Sequence, residues 1–183
     1  MSSAASHYAK GTVANVVRSL LVVAGMAAVI FLMVARTSSV SGDQADIEAA
    51  ARQHATQSGH PFEYATDLPE GWTSDSQRYV RSKDDLMMWS ATWKTPDGEY
   101  VALQQVADAT DTWVNTQTNN GKRVGTVSTG DGREWLQRER EGKVQRSLVN
   151  RGEGEGELTT IVTGTGTFDQ LLELANHLEA ATG

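Results

Sequence analysis

Apolar and polar positions are arranged in three successive ways along this chain. From Ser19 to Ala35 there is no alternation at all: SLLVVAGMAAVIFLMVA runs without a charge or a proline. About 17–25 apolar residues are needed for a helix to cross the hydrocarbon core of a bilayer. The run therefore predicts a membrane-spanning helix over residues 13–36, with Val13, Val16 and Val17 extending it past Arg18, whose long stem can snorkel to the headgroups. Between Asp43 and Gln57 the spacing becomes helical. Ile47, Ala50, Ala51 and Ala55 form a thin apolar stripe, Asp43 and Asp46 suit a helix N-terminus, and Gly59 and Pro61 stop the run.

Beyond Pro61 a period of two dominates. Phe62–Ala65 and Arg78–Arg81 predict short strands, with a Pro-Gly turn at Leu68–Trp72 between them. Leu86–Lys94 places Met87, Trp89, Ala91 and Trp93 on one face, and the turn Thr95–Gly98 leads into a partner strand at Tyr100–Val106. Asp108 reads as the N-cap of a helix over Ala109–Thr118, stopped by Asn119-Asn120-Gly121. Lys122–Ser128, Arg133–Arg138, Lys143–Asn150 and Leu158–Thr163 follow as strands joined by short glycine-containing links, the signature of consecutive antiparallel pairing. Thr167–Ala181 closes the chain as an amphipathic helix, with Thr167 and Gln170 as a capping box. The predicted fold class is α+β: one N-terminal transmembrane helix, then an antiparallel sheet domain flanked by helices. The boundaries are a cytoplasmic tail at 1–12, the span at 13–36, a linker and juxtamembrane helix at 37–59, and an extracytoplasmic domain at 60–183.

Charge sharpens this layout. The first 36 residues carry Lys10, Arg18 and Arg36 and no acid, whereas the rest carries 13 basic and 23 acidic residues. An acidic domain without a long basic run does not suit nucleic acid, whose phosphates must be neutralised. The positive-inside count is nearly balanced, and the short, acid-free N-terminal side is placed in the cytoplasm. A retained anchor is preferred to a cleaved signal because the apolar run exceeds a signal core and Arg36 follows it directly. There is no cysteine, which excludes a disulfide framework, thiolate metal sites and a cysteine nucleophile.

Candidate chemistry is sparse. His7, His54, His60 and His177 do not have the spacing of a metal site, and His177 stands four residues after Glu173 in an ordinary surface pairing. Arg151–Glu157, RGEGEGE, alternates three carboxylates with glycine but lacks the Asp and Asn offsets of a calcium loop. Gly164–Thr167 leads into a helix N-terminus yet has neither a dinucleotide fingerprint nor a P-loop lysine. No serine lies in a G-x-S-x-G context. No catalytic residue, cofactor or metal is assigned. The tryptophans carry most of the interest: Trp89 and Trp93 share a strand face, and Trp135 lies on another strand. They are either core packing or, with Arg133 or Arg123 beside them, a concave face for a lipid, glycan or partner peptide.

The L-P-E-G-W of Leu68–Trp72, the W-S-A-T-W-x-T of Trp89–Thr95, the D-G-R-E-W of Asp131–Trp135 and the T-F-D-Q-L-L of Thr167–Leu172 follow the apolar run in order. In this layout the chain resembles, over nearly its full length, the actinobacterial membrane-protein family known as domain of unknown function 4245. The order of strands and helices is also similar, more loosely, to the Mog1/PsbP-like fold. The first resemblance implies a single-pass membrane protein and carries no functional residues; the second implies a binding or accessory module, by fold-level analogy alone. Three functions are left standing: an envelope interaction or accessory module with a protein partner, a binding protein for a lipid or other hydrophobic envelope ligand, and an envelope hydrolase. The binding candidates are Trp89, Trp93, Trp135 and Arg133.

Overall fold

The computed structural model describes residues 18–24, 26, 44–140, 142 and 144–181. The chain divides into two units, Met1–Val40 and Ser41–Gly183. In the first, residues 18–24 and 26 are helical. Among the described residues no helix is long and apolar enough to cross a membrane. This corrects the transmembrane helix of the expected fold class. The remainder of the expected span lies outside the described residues.

The second unit is an antiparallel sheet with helices on both faces. Its elements run α1 (Gln44–Ser58), β1 (Glu63–Ala65), β2 (Thr73–Arg81), β3 (Met87–Lys94), β4 (Tyr100–Ala107), α2 (Asp111–Gln117), β5 (Lys122–Ser128), β6 (Glu134–Glu139), β7 (Arg146–Asn150), β8 (Leu158–Gly164), α3 (Phe168–Asn176) and β9 (Leu178–Ala180). Seven strands form the main sheet in the order β2-β3-β4-β8-β7-β6-β5, and β1 pairs with β9 in a separate ribbon. The sheet is thus two meanders, β2–β4 and β5–β8, joined where β4 lies beside β8. Short links account for each meander. The seam between them is a long-range pairing, with Leu103 opposite Val162.

Both faces of the central strands are buried, so they read as nearly continuous apolar or small-residue runs. One face carries Trp89, Ala91, Trp93, Val101, Leu103, Trp135, Leu148 and Val162 against α1, α3 and the β1–β9 ribbon. The other carries Met88, Val106, Val149 and Ile161 against Trp113 and Val114 of α2. Helix α1 holds the stripe expected of it: Ile47, Ala51 and Ala55 are buried.

Several boundaries differ from expectation, β7 for one starting at Arg146 and not Lys143. Helix α3 ends at Asn176, and residues 178–180 pair with 63–65 instead of continuing the helix. Its capping box is present, with the Thr167 hydroxyl accepting from the Gln170 amide and the Gln170 side chain accepting from the Thr167 amide. Helix α2 is capped by Thr110, whose side chain accepts from the Trp113 amide. Asp108 instead takes a left-handed backbone with φ 54° and accepts a hydrogen bond from the Gly156 amide. Strand β2 starts at Thr73, five residues before the expected start; at a sheet edge polar residues such as Ser76 and Gln77 can face water.

Candidate functional site

The sequence candidates converge on the floor beneath strand β1. Trp89 faces Gln105 across the β3–β4 ladder, Gln105 faces Thr160 across β4–β8, and Thr160 faces Asn150 across β8–β7. This row of side chains points toward the three-residue strand β1, and Glu63 enters it from above. Every polar position of Glu63 is used. Its amide donates to Gln105 Oε1 at 2.7 Å, and its carbonyl accepts from Trp89 Nε1 at 2.9 Å. Its carboxylate accepts from Arg133 Nη1 at 2.7 Å, from Gln105 Nε2 at 2.7 Å and from the Thr160 hydroxyl at 3.3 Å.

Arg133 completes the arrangement. Its Nε donates to Asn150 Oδ1 at 2.9 Å and its Nη2 to Thr160 Oγ1 at 3.1 Å. Its guanidinium lies over the Trp135 ring, 4.8 Å from the centroid, in cation–π contact. The Arg133 and Glu63 side chains retain only 25% and 16% exposure. A buried ion pair needs such supplementary hydrogen bonds to offset the cost of desolvating two charges. Chemically this is a clamp: Glu63 fastens β1 directly to β3, β4 and β8 through Trp89, Gln105 and Thr160, and through Arg133 to Asn150 of β7.

The structure therefore brings together three of the four candidates. Trp89 and Trp135 lie at the two ends of the network, and Arg133 lies within it. Trp93 is in the same core, four residues further along β3. All three tryptophans are wholly buried. Glu63, Gln105, Thr160 and Asn150 were not visible as partners in the sequence, because strand parity alone does not fix which strands are neighbours.

A second cluster lies on and beside β5 and β6. Arg123 and Arg138 are direct cross-strand partners. Arg138 donates to Asn115 Oδ1 at 2.8 Å and to the Thr118 hydroxyl at 3.3 Å, and Arg140 donates to Asn119 Oδ1. All these acceptors are neutral. The Nε of Arg138 is buried without a partner. Next to them a groove of about 620 Å³ is lined by Lys122, Val124, Glu139, Arg140, Val144 and Arg146. Val124 and Val144 are 53% and 68% exposed. Sequence reading passed over this segment, although residues 122–146 hold seven basic and four acidic side chains in a domain that is otherwise strongly acidic. Among the described residues there is no group of three or more His, Cys, Asp or Glu side chains placed to hold a metal. In the RGEGEGE loop the Glu157 carboxylate turns back to accept from the amides of Glu153 and Gly154.

No curated protein matches this sequence. The family model described as Protein of unknown function (DUF4245) matches residues 9–178, nearly the whole chain, and the protein belongs to that family.

Proposed function

We propose that this protein is an interaction or accessory module, whose sheet is a rigid support for surface recognition of a protein partner. The observation that carries this reading is the filling of the sheet face under α1 and α3. Trp89, Trp93 and Trp135 are all fully buried there, and the Glu63–Arg133 clamp occupies the space beneath β1. A site for a hydrophobic small molecule needs an enclosed, largely apolar cavity that covers most of the ligand. The groove beside β5 is rimmed by charged side chains, as is a second groove of about 400 Å³ at Glu48, Arg52, Tyr64, Asp67 and Glu179. Open charged grooves suit macromolecular contact better than capture of a lipid.

Native mass spectrometry of the full chain, purified gently from its own cells, tests this. The expected spectrum contains a stoichiometric protein complex that dissociates into this chain and one partner. A small-molecule adduct of lipid size in place of a protein partner would overturn the reading in favour of ligand binding.

A further inference from the structure

We propose that the outer edge of β5, with Arg123, Arg138 and Arg140 beside it, is a docking site for an acidic peptide segment that adds to the sheet in extended conformation. The inference rests on the interaction-module reading and names the chemistry of the partner. Strand β5 is last in the sheet order, and no strand among the described residues pairs with its outer side. Such an edge presents unpaired N–H and C=O groups to an incoming strand. The bulge between Arg123 and Gly125 interrupts the ladder only near its start; residues 125–128 keep regular partners on β6.

Charge selects the occupant. Arg123 and Arg138 stand directly opposite each other, which is unfavourable for like charges. Among the described residues neither they nor Arg140 forms an ion pair, although the protein carries 23 acidic residues. Carboxylates accept forked hydrogen bonds from guanidinium groups and would relieve the repulsion between them. The exposed Val124 and Val144 beside Arg140 offer an apolar surface in the adjoining groove. An extended strand presents alternate side chains to opposite sides, so a segment alternating acidic and apolar residues matches both features. The opposite edge, β2, lacks this excess: Arg81 is paired with Asp85 at 3.0 Å, and Asp75 lies on the strand itself.

The test is hydrogen–deuterium exchange of the full chain at low salt, with a blocked pentapeptide alternating Glu and Val and with its Lys and Val counterpart. The Glu peptide is expected to slow exchange of β5 amides, and Arg123→Glu, at an exposed position, to weaken its binding at least tenfold. No protection of β5, equal protection by the Lys peptide, or the same protection by inorganic phosphate would overturn the proposal. So would concentration-dependent protection of β5 without peptide, which would make a second copy the occupant. Protection confined to β2, or a partner complex that survives Arg123→Glu, would overturn this site while leaving the interaction-module reading standing.

Discussion

Trp89 differs from the other buried tryptophans in having its indole N–H satisfied. That group donates to the Glu63 carbonyl, while the Nε1 groups of Trp93, Trp113 and Trp135 are buried without partners. Its ring sits in an aromatic cluster with His54 and Phe62, at centroid distances of 5.8 and 6.4 Å. Trp89→Ala is expected to lower stability by about 3–5 kcal/mol. Trp89→Phe keeps most of the packing but leaves the Glu63 carbonyl unpaired, for a loss of about 1–3 kcal/mol. Chemical denaturation of the two variants checks both values, and an unchanged midpoint for the alanine variant would remove Trp89 from the core. Asp131 makes a pH prediction. Hydrogen bonds from the Thr129 hydroxyl, and then from the Arg133 amide, hold its carboxyl below the ordinary carboxylate range. A carboxyl depressed in the folded state adds stability above its unfolded pKa, and that stability is lost as pH falls through its folded pKa. The difference in Tm between the natural protein and Asp131→Asn should be present at neutral pH and close in acid. At this scale the sequence marked the chemically notable residues, Arg133 and the tryptophans. It did not mark Glu63, whose partners Trp89, Gln105, Arg133 and Thr160 are all distant in sequence.

At the scale of elements, local signals were read well where they are self-contained. The T-x-x-Q box starts α3 at the expected place, and Asn119 and Asn120, both with positive φ, end α2 as the N-N-G stop signal implies. Local signals failed where distant pairing decides. Leu178 keeps the helical spacing of the last segment, yet residues 178–180 become a strand because β1 offers them a partner. The seam between the two meanders is another such pairing, and Gly164 is the residue that permits its tight end. A Cβ at Gly164 would lie 1.9 Å from the Tyr100 carbonyl oxygen. That oxygen already accepts from the Thr165 amide at 3.0 Å, so the backbone is held in place. Gly164→Ala is therefore expected to cost at least the roughly 1–3 kcal/mol of ordinary overpacking. Exchange of the amides at the Val101–Gly164 end of the β4–β8 ladder should accelerate, and an unchanged denaturation midpoint would show that the strands can part there without loss.

For the whole molecule, the period-two pattern was enough to specify an antiparallel α+β domain and most of its hairpins. It was not enough to specify strand order, since alternation says which face a residue takes and not which strand lies beside it. The long apolar run near the beginning illustrates the same limit. Composition marks it as able to span a bilayer, yet among the described residues no helix is long and apolar enough to cross a membrane. Charge distribution is the property that only the complete domain displays. Arg123, Arg138, Arg140 and Arg146 lie on or beside β5, β6 and β7, so an acidic protein acquires a region able to attract anions.

The β1–β9 ribbon sets an order on the protein's folding during synthesis. Glu63 and Ala180 are ladder partners although more than a hundred residues separate them. Contacts so distant along the chain form only after both ends exist, and a growing chain emerges from its beginning. On a ribosome, the two meanders have all their strands once residue 164 is made, while strand β1 still waits for its partner. The clamp beneath it then has its sheet residues in place but no finished ribbon above. A chain interrupted shortly before residue 178 would carry all seven strands of the main sheet and leave β1 without its ladder partner.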